Sequence, residues 1–395
     1  MNYAETNDLE MTGREKTYPA TFEKIIAGSA KVRDSRGIVR ATSVPGDIWC
    51  DMASNDYLGL ASDSQVIAAA AAELGRSGCS ARASRVVCGT QLVHTLLEAA
   101  LAGLTGFESA LVFSSGYTAN MAVLAALGRP GTHIFMDAHI HASLHDAAAL
   151  SQAEVRLFAH NSVDEAEQFL QEAAGAPCVL VVEGVYSVLG DAADVAAFHA
   201  LAVRYDALLV VDEAHSLGVR GGGRGQSFES GVAGSQHVIL STSLGKSCGS
   251  MGGALICSDD LRDYFVNTAR SFIFDTALAP AQAAAALAAV QIIAAEGENL
   301  TAQLRANAEF LCAELGIEPA AGAVQSMQVP AGADAAAEIS RRLAARGVAV
   351  ACFRPPAVPD GVSRLRFTAH ANTPRPELVR ALQEIKAVLS DTKGI

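Results

Sequence analysis

An α/β fold with a mostly parallel central sheet is the architecture this sequence predicts. From Ala110 to Cys257 short apolar runs recur, and helical patterns separate most of them. The runs are continuously apolar instead of alternating, as expected when helices cover both faces of a sheet. Length is the third observation. At 395 residues, half of them hydrophobic, the chain can bury a large core and suits about two or three domains.

The first forty residues are weakly patterned. Met1 to Lys16 is polar and acidic, with no apolar signal region. Thr21 to Ala27 fits a short helix, and Lys31 to Arg40 is charged and reads as exposed. Apolar spacing of three and four predicts helices over Ser64–Arg76 and Leu92–Leu104. Strands follow at Ala110–Ser114, His133–Met136, Val155–Ala159, Cys178–Val182, Ala207–Val211, Val238–Ser241 and Ala254–Cys257. Helices Tyr117–Ala126, Ser143–Ser151, Val163–Ala174 and Val195–Tyr205 lie between them. Gly221-Gly-Gly-Arg-Gly225 reads as a flexible loop, since no strand-turn-helix surrounds it. After Pro280 an alanine-rich helix over Ala281–Ala295 leads to a smaller C-terminal α+β domain. There Ala336–Arg346 and Pro376–Leu389 read as helices, and Ala349–Phe353 and Arg364–Ala369 as strands. The expected organisation is an N-terminal segment over 1–50, a large domain over 51–295 and a small domain over 296–395.

A net charge of −13 argues against nucleic acid, whose backbone demands a basic face. No stretch offers the roughly 20 uninterrupted apolar residues of a membrane span. Eight scattered cysteines form no C-x-x-C pair and read as reduced thiols, so a cytoplasmic protein is expected.

Ligands of such a sheet lie at the carboxyl ends of its strands. Four of these ends carry polar residues. Ser114-Ser-Gly-Tyr-Thr-Ala-Asn120 passes from strand to helix, where free N–H groups cradle an anion or simply form an N-cap. Asp137-Ala-His-Ile-His-Ala-Ser-Leu-His145 carries three histidines at spacings unlike a zinc site, so stacking or proton transfer is the better reading and no metal is expected. Val182-Glu-Gly-Val-Tyr-Ser-Val-Leu-Gly-Asp191 is the third. The fourth, Leu208-Leu-Val-Val-Asp-Glu-Ala-His215, places Asp212 to bind a metal or a protonated ring nitrogen. No G-x-x-x-x-G-K-[ST] loop supports a nucleotide triphosphatase. Lys246 sits among small residues between two apolar runs, and burial there would ease loss of its proton, as Schiff-base chemistry needs. A lysine for an aldehyde, an acid for a ring nitrogen, a histidine for a ring face and an anion cradle together fit pyridoxal 5′-phosphate.

These motifs resemble the α-oxoamine synthases, pyridoxal-phosphate enzymes of fold type I. The likeness rests on Ser54-Asn-Asp-Tyr-Leu-Gly-Leu60, Phe113–Asn120, His141-Ala-Ser-Leu144, Val211–Gly218 and the lysine stretch, with Ala269–Pro280 and Cys352–Arg366 closest to the members that join L-alanine to a pimeloyl thioester. The resemblance implies that Lys246 holds the cofactor and later moves the α-proton, that Asp212 pairs with the pyridine nitrogen, and that His141 stacks on the ring. His215 would bond the ring hydroxyl, with Ser187 near it. Ser115, Gly116, Tyr117 and Ser243 would hold the phosphate, with Thr276 reaching in from a second subunit, so a homodimer is implied. Asn55 would lie near the substrate and Arg366 would grip its carboxylate, a bidentate role that Arg364 or Arg354 could also fill. The implied reaction is a decarboxylative condensation of L-alanine with pimeloyl-CoA or a pimeloyl carrier protein; the alternative is another amino acid with another acyl-CoA. Two stretches depart from the family pattern. In Cys79-Ser-Ala-Arg-Ala-Ser-Arg-Val-Val-Cys-Gly89 alanine and arginine replace glycines, which would narrow or recharge the acyl entrance, and Val185-Tyr-Ser-Val-Leu-Gly190 is unusual.

Overall fold

The computed structural model describes residues 19–35, 42, 44, 46–355, 357, 358 and 360–392. Met1–Lys16 and Arg36–Arg40, read above as polar or charged, lie outside them. Two units are distinguished, residues 1–45 and 46–395. In the first, the expected short helix extends over Ala20–Ser35, and Phe22, Ile25 and Ile26 are exposed.

The second unit holds eleven strands among the described residues: β1 (Cys50–Met52), β2 (Ser109–Phe113), β3 (His133–Asp137), β4 (Glu154–Phe158), β5 (Cys178–Glu183), β6 (Leu208–Asp212), β7 (Val238–Ser243), β8 (Gly253–Cys257), β9 (Val324–Gln328), β10 (Val348–Phe353) and β11 (Arg364–Thr368). Seven form one sheet in the order β2-β8-β7-β6-β5-β3-β4, in which only β8 runs antiparallel to its neighbours. The fold is the mostly parallel, helix-flanked sheet that the sequence predicts. Alternate residues feed opposite cores: Leu180 and Val182 face one, with Leu97 and Val290, while Val179 and Val181 face the other, with Val123 and Leu144. That two-sided burial is why the strands read as continuous apolar runs.

A smaller sheet, β1-β10-β11-β9, packs against the helices Ala333–Ala344 and Arg375–Thr392. Strand β1 pairs parallel with β10 through Cys50↔Val348. Its three residues are too few to show a period, so the sequence did not reveal it. The helix expected over 281–295 runs unbroken from Pro280 to Leu315, and the boundary expected after residue 295 lies inside it.

Gly221–Gly225 is not the flexible loop expected. It forms a tight turn packed on that long helix: a Cβ at Gly223 would meet Ile293 Cγ2 at 2.7 Å, and one at Gly297 would meet Gly222 O at 2.2 Å. The glycines here permit close backbone approach.

Candidate active site

The carboxyl ends of the parallel strands surround a cavity of about 230 Å³, lined by Ser115, Gly116, Tyr117, His141, Asp212, His215, Ser243 and Lys246, with Asn120, Ser143 and Glu183. Eight residues chosen from sequence therefore meet in one place.

Each wall has a local cause. Ser115 caps the helix Gly116–Leu127: its Oγ accepts from Thr118 N (3.1 Å), while Thr118 Oγ1 accepts from Ser115 N (3.0 Å). The first N–H groups of a helix have no intrahelical partner, so this end presents donors to an anion. At Gly116 the chain runs against β7 and β8; a Cβ would sit 3.1 Å from Ser243 Cβ, and one at Gly253 would strike Gly116 N at 2.4 Å. Tyr117 is half exposed and donates its hydroxyl to Asp146.

Asp212 ends β6 and is buried. Asn120 Nδ2 donates to its Oδ2 (2.8 Å) and Ala214 N to its Oδ1 (2.9 Å). The same Asn120 amide donates to Ser143 Oγ (2.9 Å), which lies 2.8 Å from His141 Nδ1. Ser143 N also donates to that nitrogen (3.2 Å). His141 Nδ1 is thereby assigned as an acceptor, which places the proton of the neutral ring on Nε2.

Lys246 lies in the turn after β7, and its Nζ is 2.7 Å from His215 Nε2. Burial pushes the amine down to about 8; the Asp212 and Glu183 carboxylates oppose the shift and Arg366 adds to it. Its turn closes with Gly249 N donating to Lys246 O (2.8 Å), and Gly249 has φ +56° where a Cβ would strike Ala61 N at 2.2 Å. Burial and the nearby cations Lys246 and Arg366 hold His215 well below the usual imidazole range. Its other nitrogen meets Tyr57 OH at 2.6 Å, and Tyr57 OH is 3.1 Å from Asn55 Oδ1. Arg366 Nη2 donates to the same Asn55 oxygen. A continuous chain thus runs Lys246–His215–Tyr57–Asn55–Arg366.

Of the three arginines, Arg366 is the one that joins this chain. Arg366 is buried with Nε unpartnered and lies over the Phe353 ring at 5.2 Å. Arg364 is instead held by Asp360 Oδ1 (2.6 Å) and Val362 O (2.7 Å). Arg354 follows β10, and the structure brings Arg366, not Arg354, to Asn55.

Other expectations fall differently. Ser187 lies outside the cavity lining and approaches the site through its N–H, which donates to Glu183 Oε2 (3.2 Å). Thr276, expected to serve the site of a second subunit, is exposed and outside the lining of its own chain's cavity. His139 does not join His141 but stacks on His160. Arg82, the arginine that stands where the family has glycine, is exposed with φ +68°, while Arg85 is buried in an ion pair with Glu98 (2.8 Å). Among the described residues no group of three or more His, Cys, Asp or Glu could hold a metal.

Sequence reasoning missed Glu183, Asn120, Ser143 and Tyr57 as site residues. Glu183 was visible as an acid ending an apolar run. Burial, with Asp212 beside it, holds its carboxyl well above the usual range, and its Oε1 has no partner. The other three were visible only as members of longer motifs.

A family model described as aminotransferase class I and II matches residues 47–385. An 8-amino-7-oxononanoate synthase of Mycolicibacterium smegmatis is 43% identical over 350 residues, spanning 87% of this chain and 90% of that protein. A solved structure of serine palmitoyltransferase with a pyridoxal-phosphate internal aldimine has a TM-score of 0.87 at 28% identity, over 95% of this chain and 99% of the other. The 8-amino-7-oxononanoate synthase of Francisella tularensis has a TM-score of 0.71 at 27% identity, over 86% and 98%.

Proposed function

The chain belongs to the class I and II aminotransferase family and, within it, to the α-oxoamine synthases; from that membership we propose that it condenses L-alanine with a pimeloyl thioester, giving 8-amino-7-oxononanoate, the free thiol and CO2. It is a pyridoxal-phosphate enzyme. The observation that supports the chemistry most is the Lys246 amine, moved to about 8 and 2.7 Å from a neutral histidine, in one cavity with the Asp212 carboxylate.

The residues present fit this cofactor. Lys246 offers an amine for the aldehyde, Asp212 an acceptor for a protonated ring nitrogen, and the start of the helix Gly116–Leu127 with Ser115 and Ser243 a cradle for phosphate. The unpartnered Oε1 of Glu183 and Oδ1 of Asn120 are buried polar atoms that want a ligand. The bound cofactor supplies an electron sink for the carbanion at the amino acid's α-carbon.

The chain's own groups do the rest. Lys246, neutral for part of the time near pH 8, removes and returns the α-proton. His215 stays neutral and orients Nζ through Nε2. Asp212 is fixed by Asn120 and Ala214 N with its carboxyl group in the cavity wall. His141, its tautomer set by Ser143, covers one ring face. Arg366, steadied by Asn55, takes the substrate carboxylate, a planar anion that a guanidinium grips in two places. Thr276 completes the phosphate site of a partner copy in a homodimer, and Ser187 assists near the ring hydroxyl.

No helix among the described residues is long and apolar enough to cross a membrane, and all eight cysteines are free, which supports a cytoplasmic enzyme. The test is a matrix of amino acids and acyl thioesters assayed for thiol release. Alanine with a pimeloyl thioester should be the best pair; a clear preference for serine with a longer acyl chain would overturn the substrate assignment and leave the chemistry standing.

A further inference from the structure

His160 lies beyond β4 and takes no part in the chemistry above. Its Nδ1 is 2.9 Å from Asp137 Oδ1, and its Nε2 is 2.8 Å from Asp191 Oδ2. A neutral imidazole has one N–H, and an ionised carboxylate only accepts. Two carboxylates on the two ring nitrogens therefore require the imidazolium. Burial opposes the charge, but the two acids outweigh it and lift the ring to about 9. His139 stacks on the ring at 3.8 Å and 15°, and Tyr186 meets it edge-on at 4.5 Å. Asp360 also faces His139.

The bridge joins three strand-end loops. Asp137, fully buried at the end of β3, also accepts from His139 N (2.7 Å) and Asn161 N (2.7 Å), and Ile140 N returns to its carbonyl (3.2 Å). That turn delivers His141 to the cavity. Asp191 closes the loop after β5: its carbonyl accepts from Tyr186 N (2.8 Å), and its carboxylate from Asn161 Nδ2 (3.0 Å). That loop begins at Glu183. With His160 neutral, one carboxylate would be left facing an unprotonated nitrogen, and the loops would be held only through Asn161, a looser tie.

We propose that His160 is a positioning residue, whose imidazolium clamps the loop carrying His141 to the loop that begins at Glu183 and so fixes the His141 ring over the cofactor. The inference rests on the functional reading above, but its structural half stands without it. A misplacement near the reacting atoms costs up to about a hundredfold in rate.

The first measurement needs no cofactor or turnover. Histidine side-chain ¹⁵N shifts of the cofactor-free protein should show both His160 nitrogens protonated between pH 6.5 and about 9. A singly protonated ring there overturns the clamp, whatever the enzyme's substrate. The second compares His160→Gln and Asp191→Asn in the loaded enzyme. Each should lower kcat by about tenfold or more, leave KM for the amino acid within about twofold, and change the circular dichroism of the bound cofactor. In a His141→Ala background neither should lower kcat further, because both act through that ring. Full additivity, or unchanged cofactor dichroism, overturns the proposal. Asp191→Asn keeps the test decisive if His160→Gln does not fold.

Discussion

Asp212 and Glu213 are neighbours in the chain, and both carboxylates are buried, yet they belong to two different regions. Glu213 faces the turn behind the sheet, where both its oxygens are filled: Ser216 OH and Gln226 N (2.8 Å) donate to Oε2, and Ser227 N (2.7 Å) to Oε1. Gly225, with φ +103°, lets the backbone close on it, since a Cβ there would come within 2.7 Å of Oε2. Asp212 faces the cavity, beside Glu183 with its open oxygen and Lys246 with its displaced pKa. A buried carboxylate supplied with donors on all sides holds a fold together. The cavity differs in its neighbours: buried Glu183 Oε1 and Asn120 Oδ1 stay unpartnered beside an amine displaced to about 8, an arrangement made for something not yet bound.

Substitutions in the two regions should separate accordingly. Lys246→Ala should have the largest effect, removing the visible absorption band of the loaded enzyme and lowering kcat by roughly a thousandfold or more. Retention of either would break the assignment of the cavity. Asp212→Asn should lower kcat by about a hundredfold while leaving the urea midpoint near that of wild type; a large loss of stability would mean that Asp212 belongs with the structural acids. Glu213→Gln should do the reverse. Its new amide group would face backbone donors, costing about 1–3 kcal/mol of stability in a urea titration, with kcat of the folded enzyme changed by less than about threefold.

The smallest effect is in the pH dependence of stability of the cofactor-free protein. His160 has a raised folded-state pKa, so its contribution is complete below about 6.5 and is lost as pH rises through about 9. Lys246 has a lowered one: its amine is penalised below about 8, and the penalty fades as pH rises from about 8 to 10.5. Denaturant midpoints measured across this range should fall less steeply in His160→Gln than in wild type. Lys246→Met should remove the opposing rise. Identical slopes in all three proteins would show that neither region's charge is held as the geometry indicates.

Much of this was legible in the sequence. Seven short runs predicted the seven strands of the large sheet, because a strand covered on both sides must be apolar; the edge strand β4 is the exception, largely exposed and carrying Glu154 and Arg156. Lys246, Asp212, His141 and Ser115 were legible as polar residues closing such runs. Short β1 was not, nor was β9, since Val324–Gln328 alternates a polar residue into a small sheet. The glycine-dense turn misled because composition records that glycine is present but not whether a neighbouring helix presses on it.

The sequence by itself determined the fold class and the inventory of chemical groups, because periodicity and side-chain type are local properties. Only the tertiary structure decided which groups meet. It joined Arg366 to Asn55 across 311 positions and gave Arg364 to Asp360. It filled the oxygens of Glu213 and left one of Glu183 open, and it set His160 between an acid ending β3 and another in the loop after β5. Each of these outcomes is a matter of a few ångströms between residues far apart in the chain, and distance, not residue type, fixes whether a buried charge is satisfied or available.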